Sequence, residues 1–414
     1  MRIRWWIGRT IFAVIALLAI VELLVIVNLV RINSAQFARL ENRGQNISDP
    51  SSSYSEPTDS QEQANTHAED SLQRLRRETL SRAALYDELI QRDMLLDGMV
   101  IHLGADGEPK GICDSLMFSS IRYYALSKLG FKESAIKAWH GIIASRSGGQ
   151  WLRHPKCTKS LSRDMIMGVL VALRGDPENG DTVFRSMLAE IDRNGGFAGD
   201  GPFYISWLSP GIASLLRMEA ERRNVPFSEW PWVVKHSFSS IEFDAMFLGE
   251  GYVSHLAGIG LWLEMSQPKH STGFNPRSFL GRVTRSISGE SNLDTKIDAQ
   301  RRQWISGRLH SMSSSNLFFA WLDLNSTGEL DAKSEARLLS ELLSMPQFPK
   351  THLPQDCNRD ADYLWQRREA EAIPVVDKCG ETWSGVDFLW MASLLGVHTD
   401  VAPPSHHVPL PLAH

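Results

Sequence analysis

The stretch WLRHPKCTKSLSRDMIMGVLVAL, residues 151–173, places a cluster of polar residues directly before a helix that is apolar on nearly every side. Its apolar part, residues 165–173, lacks the charged stripe of a surface helix, and this pattern is typical of a helix buried all round. The polar part carries indole, guanidinium, imidazole, thiol and carboxylate groups. These groups either cap and staple the helix or form part of a functional site.

Apolar helices of this kind alternate along the chain with helices that carry charge on one side only. The apolar segments are 116–129, 165–173, 212–218, 256–263, 317–322 and 386–395. The one-sided segments are 72–93, 133–144, 182–193, 276–287 with the adjoining 294–309, 332–345, and a weaker one at 230–237. Buried helices interleaved with half-exposed ones predict an all-α fold, an (α/α)6-type toroid of inner and outer helices. An irregular bundle or a solenoid of helix pairs is the alternative.

Polar or aromatic residues precede each apolar segment. The inner helices of a toroid run parallel, so these residues would meet at the end of the ring where the inner helices begin, which we call the rim. They are Cys113-Asp114-Ser115, Ser162-Arg163-Asp164, Trp207-Leu208-Ser209-Pro210, Gly249-Glu250-Gly251-Tyr252, the run 313–316, and Trp383-Ser384-Gly385-Val386-Asp387. The sequence therefore predicts a rim rich in carboxylates, aromatic rings and small polar side chains.

The N-terminus carries a long apolar run, residues 10–30, in which only three of 21 residues are polar. This length is sufficient to cross the hydrocarbon core of a bilayer. Trp5 and Trp6 lie where an interfacial aromatic belt is expected. We predict a cytoplasmic tip and transmembrane signal anchor at 1–31, a polar flexible linker at 32–70, and a toroid domain at 71–414 that is periplasmic or extracellular.

The chain has four cysteines and no CxxC pair, so the spacing of a typical metal site is absent and no metal is predicted. Outside the cytoplasm, an even number of cysteines favours two disulfides. Three connectivities are open, and Cys113–Cys157 with Cys357–Cys379 closes the shortest loops. Free buried thiols are the alternative.

Charge and motif content exclude several classes of function. The net charge of −5 gives no basic footprint for nucleic acid. The phosphate-binding loop, the GxSxG hydrolase elbow, the HExxH zinc motif and the dinucleotide fingerprint are all missing from the sequence. We therefore predict no cofactor and no nucleic-acid partner, while protein partners stay undefined.

Three rim motifs carry a resemblance to a known superfamily. They are RHPKCTKSLSRDMIMGVLVAL, GEGYVSHLAGIGLWLEM and WSGVDFLWMASLL. Together with the helix alternation over residues 83–397, they resemble the six-hairpin glycosidases and related α/α-toroid proteins. This resemblance implies a polysaccharide groove across the rim, with carboxylates as acid and base and with Trp or Tyr as sugar platforms.

Glycoside hydrolysis needs two carboxyl groups, one to protonate the leaving oxygen and one to activate water or to attack directly. The candidates are Asp164, Asp387, Asp114 and Glu250. Asp114 and Asp164 could instead cap their helices, because Asp accepts hydrogen bonds from free backbone N–H groups there. Asp387 enters an apolar helix, where an internal salt bridge is the alternative. Glu250 could belong to an ordinary loop.

Aromatic, basic and histidine side chains near these acids are candidate substrate contacts, since aromatic faces stack on sugar rings and arginine forks bind acidic groups. Core, loop or ion-pair roles are the alternatives. The candidates are Trp151, Arg153, His154, Arg163, Tyr252, His255, Tyr363, Trp365, Arg367 and Trp383.

Three functions fit this pattern. The leading hypothesis is a membrane-anchored glycoside hydrolase that acts on a cell-surface or exported polysaccharide or oligosaccharide. A polysaccharide lyase is the second, with Tyr252 or His255 as base and with Asn316 or Arg163 neutralising a uronic acid. A non-catalytic envelope protein that binds glycan or a partner is the third.

Overall fold

The structure is a computed structural model that describes residues 59–104, 106–198, 206–207, 210–227, 230, 252–266, 291–344 and 384–399. The chain divides into two compact units, Met1–Asn65 and Thr66–His414. The predicted anchor at 1–31 lies outside the described residues. Among those residues, no helix combines the length and the apolar character needed to cross a membrane.

Helices dominate the described residues, which confirms the predicted all-α class. The eleven α-helices are α1 (Asp59–Asp93), α2 (Ser115–Leu129), α3 (Lys132–Ala144), α4 (Arg163–Leu173), α5 (Gly180–Arg193), α6 (Pro210–Arg222), α7 (Tyr252–Met265), α8 (Ser291–Met312), α9 (Leu317–Thr327), α10 (Ala332–Leu343) and α11 (Val386–Leu394). All six predicted apolar segments form helices, namely α2, α4, α6, α7, α9 and α11.

Short antiparallel strands precede three of these apolar helices. The strands are β1 (Leu95–Leu96), β2 (Met99–Val100), β3 (His102–Leu103), β4 (Pro109–Lys110), β5 (Arg146–Ser147), β6 (Gln150–His154), β7 (Cys157–Ser160), β8 (Phe197–Ala198) and β9 (Ser206–Trp207). They pair as β1–β2, β3–β4, β5–β6–β7 and β8–β9. Most have two residues, which is too short to show the two-residue periodicity of a strand in the sequence.

Burial separates the two kinds of helix as their composition predicts. Every residue of α4 from Met165 to Leu173 is buried, and so is every residue of α11 from Val386 to Ser393. In α5 the buried apolar residues recur at the spacing of a single helical face, at Val183, Phe184, Met187, Leu188 and Ile191.

The apolar helices α11, α2 and α4 pack side by side in the same direction. The Thr399 N–H, just beyond α11, donates to the carbonyl of Leu129 at the end of α2 (3.1 Å), so these two helices end together. A Cβ atom at Gly168 would lie 2.8 Å from the Met117 Cα. Further along α2, the Tyr123 and Ser127 hydroxyls lie 3.3 and 3.4 Å from the Gly175 carbonyl, just beyond the end of α4. The two helices are therefore parallel, and glycine permits their close approach.

The remaining apolar helices continue this parallel arrangement. Arg174, at the end of α4, bonds to the Leu263 carbonyl near the end of α7 (3.4 Å) and to the Glu219 carboxylate near the end of α6 (3.3 Å). The rings of His255 and Phe319 lie 5.4 Å apart in the first turns of α7 and α9. The N-terminal ends of neighbouring apolar helices therefore lie on the same side.

An aromatic cluster joins four of the apolar helices at the centre of the core. Trp390 of α11 lies 4.8 Å from Trp262 of α7, 5.3 Å from Tyr124 of α2 and 5.8 Å from Phe318 of α9, between ring centroids. Tyr124 and Trp262 are 5.0 Å apart. Aromatic rings bury large apolar areas and favour these tilted and edge-to-face contacts.

Helix α1 begins earlier than the sequence predicts. Residues 59–70, which were expected to be the end of a flexible linker, are helical. Beyond them, Arg76 forms a bidentate salt bridge with Glu335 of α10 (2.7 and 2.9 Å). The Tyr86 ring stacks on the Phe388 ring of α11, with 4.6 Å between the centroids. Extending a helix costs less free energy than nucleating one. Since the later part of α1 is already helical and docked, the Gln, Glu and Ala residues before it extend the helix toward its N-terminus.

Candidate functional site

The disulfide Cys113–Cys157 connects the starts of two neighbouring apolar helices. It joins the 3-10 helix Ile112–Asp114, directly before α2, to strand β7, which leads into α4. The two Cα atoms are 5.5 Å apart, and 44 residues separate them in sequence. This pairing confirms one of the two disulfides that the sequence favoured. Cys357 and Cys379 lie outside the described residues.

Asp114 lies next to this disulfide, immediately before α2. Its side chain is partly exposed and accepts no capping hydrogen bond from the described backbone of the helix. Capping, which was the alternative to a catalytic role, is therefore not what Asp114 does here.

Asp164 occupies the first turn of α4 and is partly exposed. The Ser162 hydroxyl donates a short hydrogen bond to Asp164 Oδ1. Ser162 occupies the N-cap position of α4 but makes no capping hydrogen bond, and its hydroxyl holds the carboxylate instead. The neighbouring Arg163 is exposed.

Trp151 was a candidate for the wall of a sugar groove, but the structure places it in the interior. Its side chain has 0% exposure. Its indole N–H donates to Ser186 Oγ (3.0 Å), and its backbone N–H donates to Glu190 Oε2 (2.5 Å). Both partners belong to α5, so Trp151 attaches strand β6 to this helix and presents no ring face to a ligand.

His154 is also fully buried, and both of its ring nitrogens bond to the backbone. The backbone N–H of Lys156 donates to His154 Nδ1 (2.9 Å), so Nδ1 is an acceptor and Nε2 carries the proton. Nε2 then donates to the Leu96 carbonyl (3.0 Å). The neutral imidazole thus joins the β6–β7 hairpin to the β1–β2 hairpin, whereas the adjacent Arg153 is partly exposed.

Asp387 lies in the first turn of α11 and is only 3% exposed. Its Oδ1 accepts the Phe388 N–H (3.0 Å). Asp387 and Trp390 are three residues apart and so share a helical face. Because Trp390 faces the aromatic cluster, Asp387 lies on the same face of α11, one turn nearer its N-terminal end.

His255 lies on the corresponding face of α7, seven residues before Trp262. It has 0% exposure, and burial lowers its pKa well below the usual value for histidine. Burial destabilises the protonated imidazole and encloses the ring, so His255 is a weak base with no exposed surface from which to reach a substrate proton. Asn316, the proposed neutralising group, caps α9 by accepting the N–H groups of Phe318 (3.0 Å) and Phe319 (3.2 Å).

Several sequence candidates cannot be placed. Tyr252 is the first residue of α7, but its side chain is not described. The candidates that lie outside the described residues are Glu250, Tyr363, Trp365, Arg367 and Trp383. Their proposed roles stay predictions.

A buried charge cluster that the sequence reasoning missed lies at the C-terminal ends of α4, α6 and α7. Glu219 is fully buried and contacts Arg174 (3.3 Å), Arg222 (2.8 Å) and Arg223 (2.6 Å). Burial lowers the pKa of Arg174 to about 10. Two of the arginines follow Glu219 at i+3 and i+4, a spacing from which ion pairs on one helix face could have been predicted. The cluster also binds the Leu173 carbonyl, so it fixes the C-terminal ends of α4 and α6.

A second polar feature is an open groove of about 640 Å³ between α1 and the start of α3. Asp87 lies at its base, but its carboxylate already bonds to Arg122 (2.9 Å) and to Gln91 (2.7 Å). In the described part of the chain, no three His, Cys, Asp or Glu side chains are grouped as a metal ion would require.

Comparison with known proteins does not identify a family. The chain matches no protein-family model, no curated protein and no solved structure.

Proposed function

We propose that the six apolar helices close into an inner ring and that the protein is an α/α toroid. The support is the chain of parallel contacts from α11 through α2, α4, α6 and α7 to α9. The ring centroids of Phe318 of α9 and Trp390 of α11 are 5.8 Å apart, so the last helix of this series contacts the first. In this arrangement the hairpins and the starts of the apolar helices form the rim.

We further propose that the rim is the active site of a glycoside hydrolase with Asp114 and Asp164 as the carboxylate pair. One observation carries the proposal. Two partly exposed carboxylates stand at the same ends of two directly packed parallel helices, and the Cys113–Cys157 disulfide joins the segments that hold them. Asp387 belongs to α11, the other helix that packs against α2. Its carboxyl group is enclosed, so it is not a member of the pair and has a supporting role.

We propose an inverting reaction course. Carboxyl groups are about 6.5–9.5 Å apart in inverting glycosidases, because a water molecule must fit between one of them and the sugar, and about 5–5.5 Å apart in retaining ones. Acids on neighbouring helices can satisfy either spacing, so the configuration of the product decides between the two courses.

The hydrogen bonds suggest separate roles for the two acids. The Ser162 hydroxyl donates a hydrogen bond to Asp164 Oδ1, so this oxygen is held as an acceptor. A carboxylate oxygen held as an acceptor suits the general base that activates water. Asp114 is then the general acid that protonates the leaving oxygen.

We place the domain outside the cytoplasm, attached to the membrane by the apolar run at 10–30. The disulfide supports this proposal, because such bonds form and persist in oxidising compartments. The substrate is then a cell-surface or exported polysaccharide.

The test is release of reducing ends from a panel of bacterial polysaccharides by the purified full-length protein in detergent. Asp114→Asn and Asp164→Asn should each lower the rate by at least about 100-fold, the usual scale of acid–base catalysis. Asp331→Asn is the matched control, since Asp331 caps the outer helix α10 (2.8 Å to the Ser334 N–H) and should leave the rate unchanged. An ultraviolet-absorbing unsaturated product, or glycan binding without cleavage, would contradict the proposal.

A further inference from the structure

The open groove of about 640 Å³ between α1 and the start of α3, which we call the α1–α3 groove, also presents apolar surface. Phe131, directly before α3, and Ala84 of α1 line it. Ile136 of α3 is 56% exposed, and among the described residues it is the only large hydrophobic side chain so exposed. It follows the lining residue Glu133 by three positions, so it lies on the same side of α3. The apolar surface therefore continues from the groove along α3.

The start of α3 adds hydrogen-bond donors to this groove. Phe131 occupies the N-cap position and supplies no side-chain cap. The N–H groups of Lys132 and Ala135 donate to backbone carbonyls (3.0 and 2.9 Å), whereas those of Glu133 and Ser134 have no acceptor in the described part of the chain. The first N–H groups of a helix need acceptors from outside the helix, and a ligand with exposed carbonyl oxygens can supply them.

The charges around the groove nearly balance. Glu88 and Glu133 are opposed by Arg92 and Lys132 in the lining, and Asp87 is already held in a buried salt bridge. The groove therefore favours a ligand with little charge over a strongly acidic or basic one.

The chain that follows α11 passes beside this groove. The Thr399 N–H donates to the Leu129 carbonyl (3.1 Å), and a Cβ atom at Gly130 would lie 2.3 Å from Thr399 Oγ1. Thr399 thus contacts the residue directly before Phe131 of the groove. Residue 400 therefore starts within roughly 7 Å of the groove, the length of two extended residues.

The segment that starts there, residues 400–414, has the composition that such a groove fits, and we call it the proline segment. Its sequence, DVAPPSHHVPLPLAH, contains four prolines, one acidic residue and no lysine or arginine. Proline fixes φ near −65° and favours the polyproline II conformation, whose carbonyl oxygens make no internal hydrogen bonds. Segments of this kind dock in grooves that are lined by aromatic side chains. In this conformation the proline segment spans about 46 Å, so its length does not limit docking.

We propose that the proline segment docks in the α1–α3 groove of its own chain. Its valine and leucine side chains cover the apolar surface of Phe131 and Ile136, and its carbonyl oxygens accept the N–H groups of Glu133 and Ser134. A short tether gives an effective concentration of about 1 mM, so a segment with an intrinsic Kd of about 0.1 mM occupies the groove at about ten to one.

The test is binding of a fluorescent synthetic peptide of residues 400–414 to the full-length protein in detergent, measured by anisotropy. In the wild type the attached segment competes, so the peptide should bind about tenfold more weakly than to the full-length variant Leu410→Asp/Leu412→Asp, whose own segment is released. In that variant, Ile136→Asp should weaken the peptide at least about fivefold, because apolar contact is lost. Ala189→Asp is the matched control, since Ala189 is an exposed residue of the outer helix α5, and it should leave Kd unchanged.

Photo-crosslinking from p-benzoylphenylalanine in place of Ile136 identifies the chain that supplies the segment. In a mixture of light and heavy isotope-labelled protein, cross-linked pairs that contain residues 400–414 should carry one label only. Pairs that carry both labels would place the segment of a second copy in the groove and overturn the proposal. Equal binding of the peptide to the wild type and to the double leucine variant, no effect of Ile136→Asp, or equal binding of a scrambled peptide overturns it as well.

Discussion

Removal of the Cys113–Cys157 disulfide should destabilise the domain without changing its native helix content. The bond closes a loop of 44 residues. The chain-entropy relation for a loop of this length gives about 4 kcal/mol at 25 °C, because the cross-link restricts the unfolded chain. The native hairpin keeps other attachments, including His154 Nε2 to the Leu96 carbonyl and Lys156 Nζ to Asp97 Oδ2 (3.3 Å).

The assay is urea unfolding of the double variant Cys113→Ala/Cys157→Ala, followed by far-ultraviolet circular dichroism. A loss of about 4 kcal/mol corresponds to a fall in the urea midpoint on the order of 1 M. The wild type and the double variant, both under reducing conditions, serve as the control and should unfold at the same urea midpoint. A loss below about 1 kcal/mol, or a native spectrum with less helix, would refute the reasoning.

Two further predictions concern backbone geometry and pH. Gly385 has φ 72° and a Cβ there would lie 2.3 Å from the Tyr86 ring, so Gly385→Ala should cost at least about 2 kcal/mol in chemical denaturation. Gly328 has a similar φ of 73° but open space around it, so Gly328→Ala should cost only about 1 kcal/mol. Equal losses of stability in the two variants would show that the Tyr86 ring adds no cost. His255 stays neutral in the fold while the unfolded chain gains a proton below about pH 6.5, so stability should fall with decreasing pH, by up to about 1.4 kcal/mol per unit. Urea midpoints at pH 7 and pH 5 should show a smaller pH dependence for His255→Leu, and an unchanged dependence would disprove this contribution.

The apolar helices could be predicted because a helix that is buried on all sides has apolar residues on all sides. Residues 165–173 have no polar stripe, and all of them are buried in α4. The Cys113–Cys157 bond belongs to the pairing that closes the shortest loops, one of three that the sequence left open, and the two segments that it joins precede helices that pack together. These properties depend on local sequence, or on helices that are neighbours in the chain.

The environment of the rim side chains was harder to predict because it depends on distant partners. Trp151 lies in a polar stretch, yet Ser186 and Glu190 of α5 supply its bonds and enclose it. Ser162 occupies the N-cap position of α4, but its hydroxyl donates a hydrogen bond to the Asp164 carboxylate and makes no capping bond. The two-residue strands gave no periodic signal at all.

The most direct test of the proposed carboxylate pair is the anomeric configuration of the first product, read by proton NMR during cleavage of a polysaccharide that the protein accepts. The proposed inverting course, in which the base activates water on the opposite face of the sugar, predicts a product of inverted configuration. A product of retained configuration would contradict this course and the roles assigned to Asp114 and Asp164.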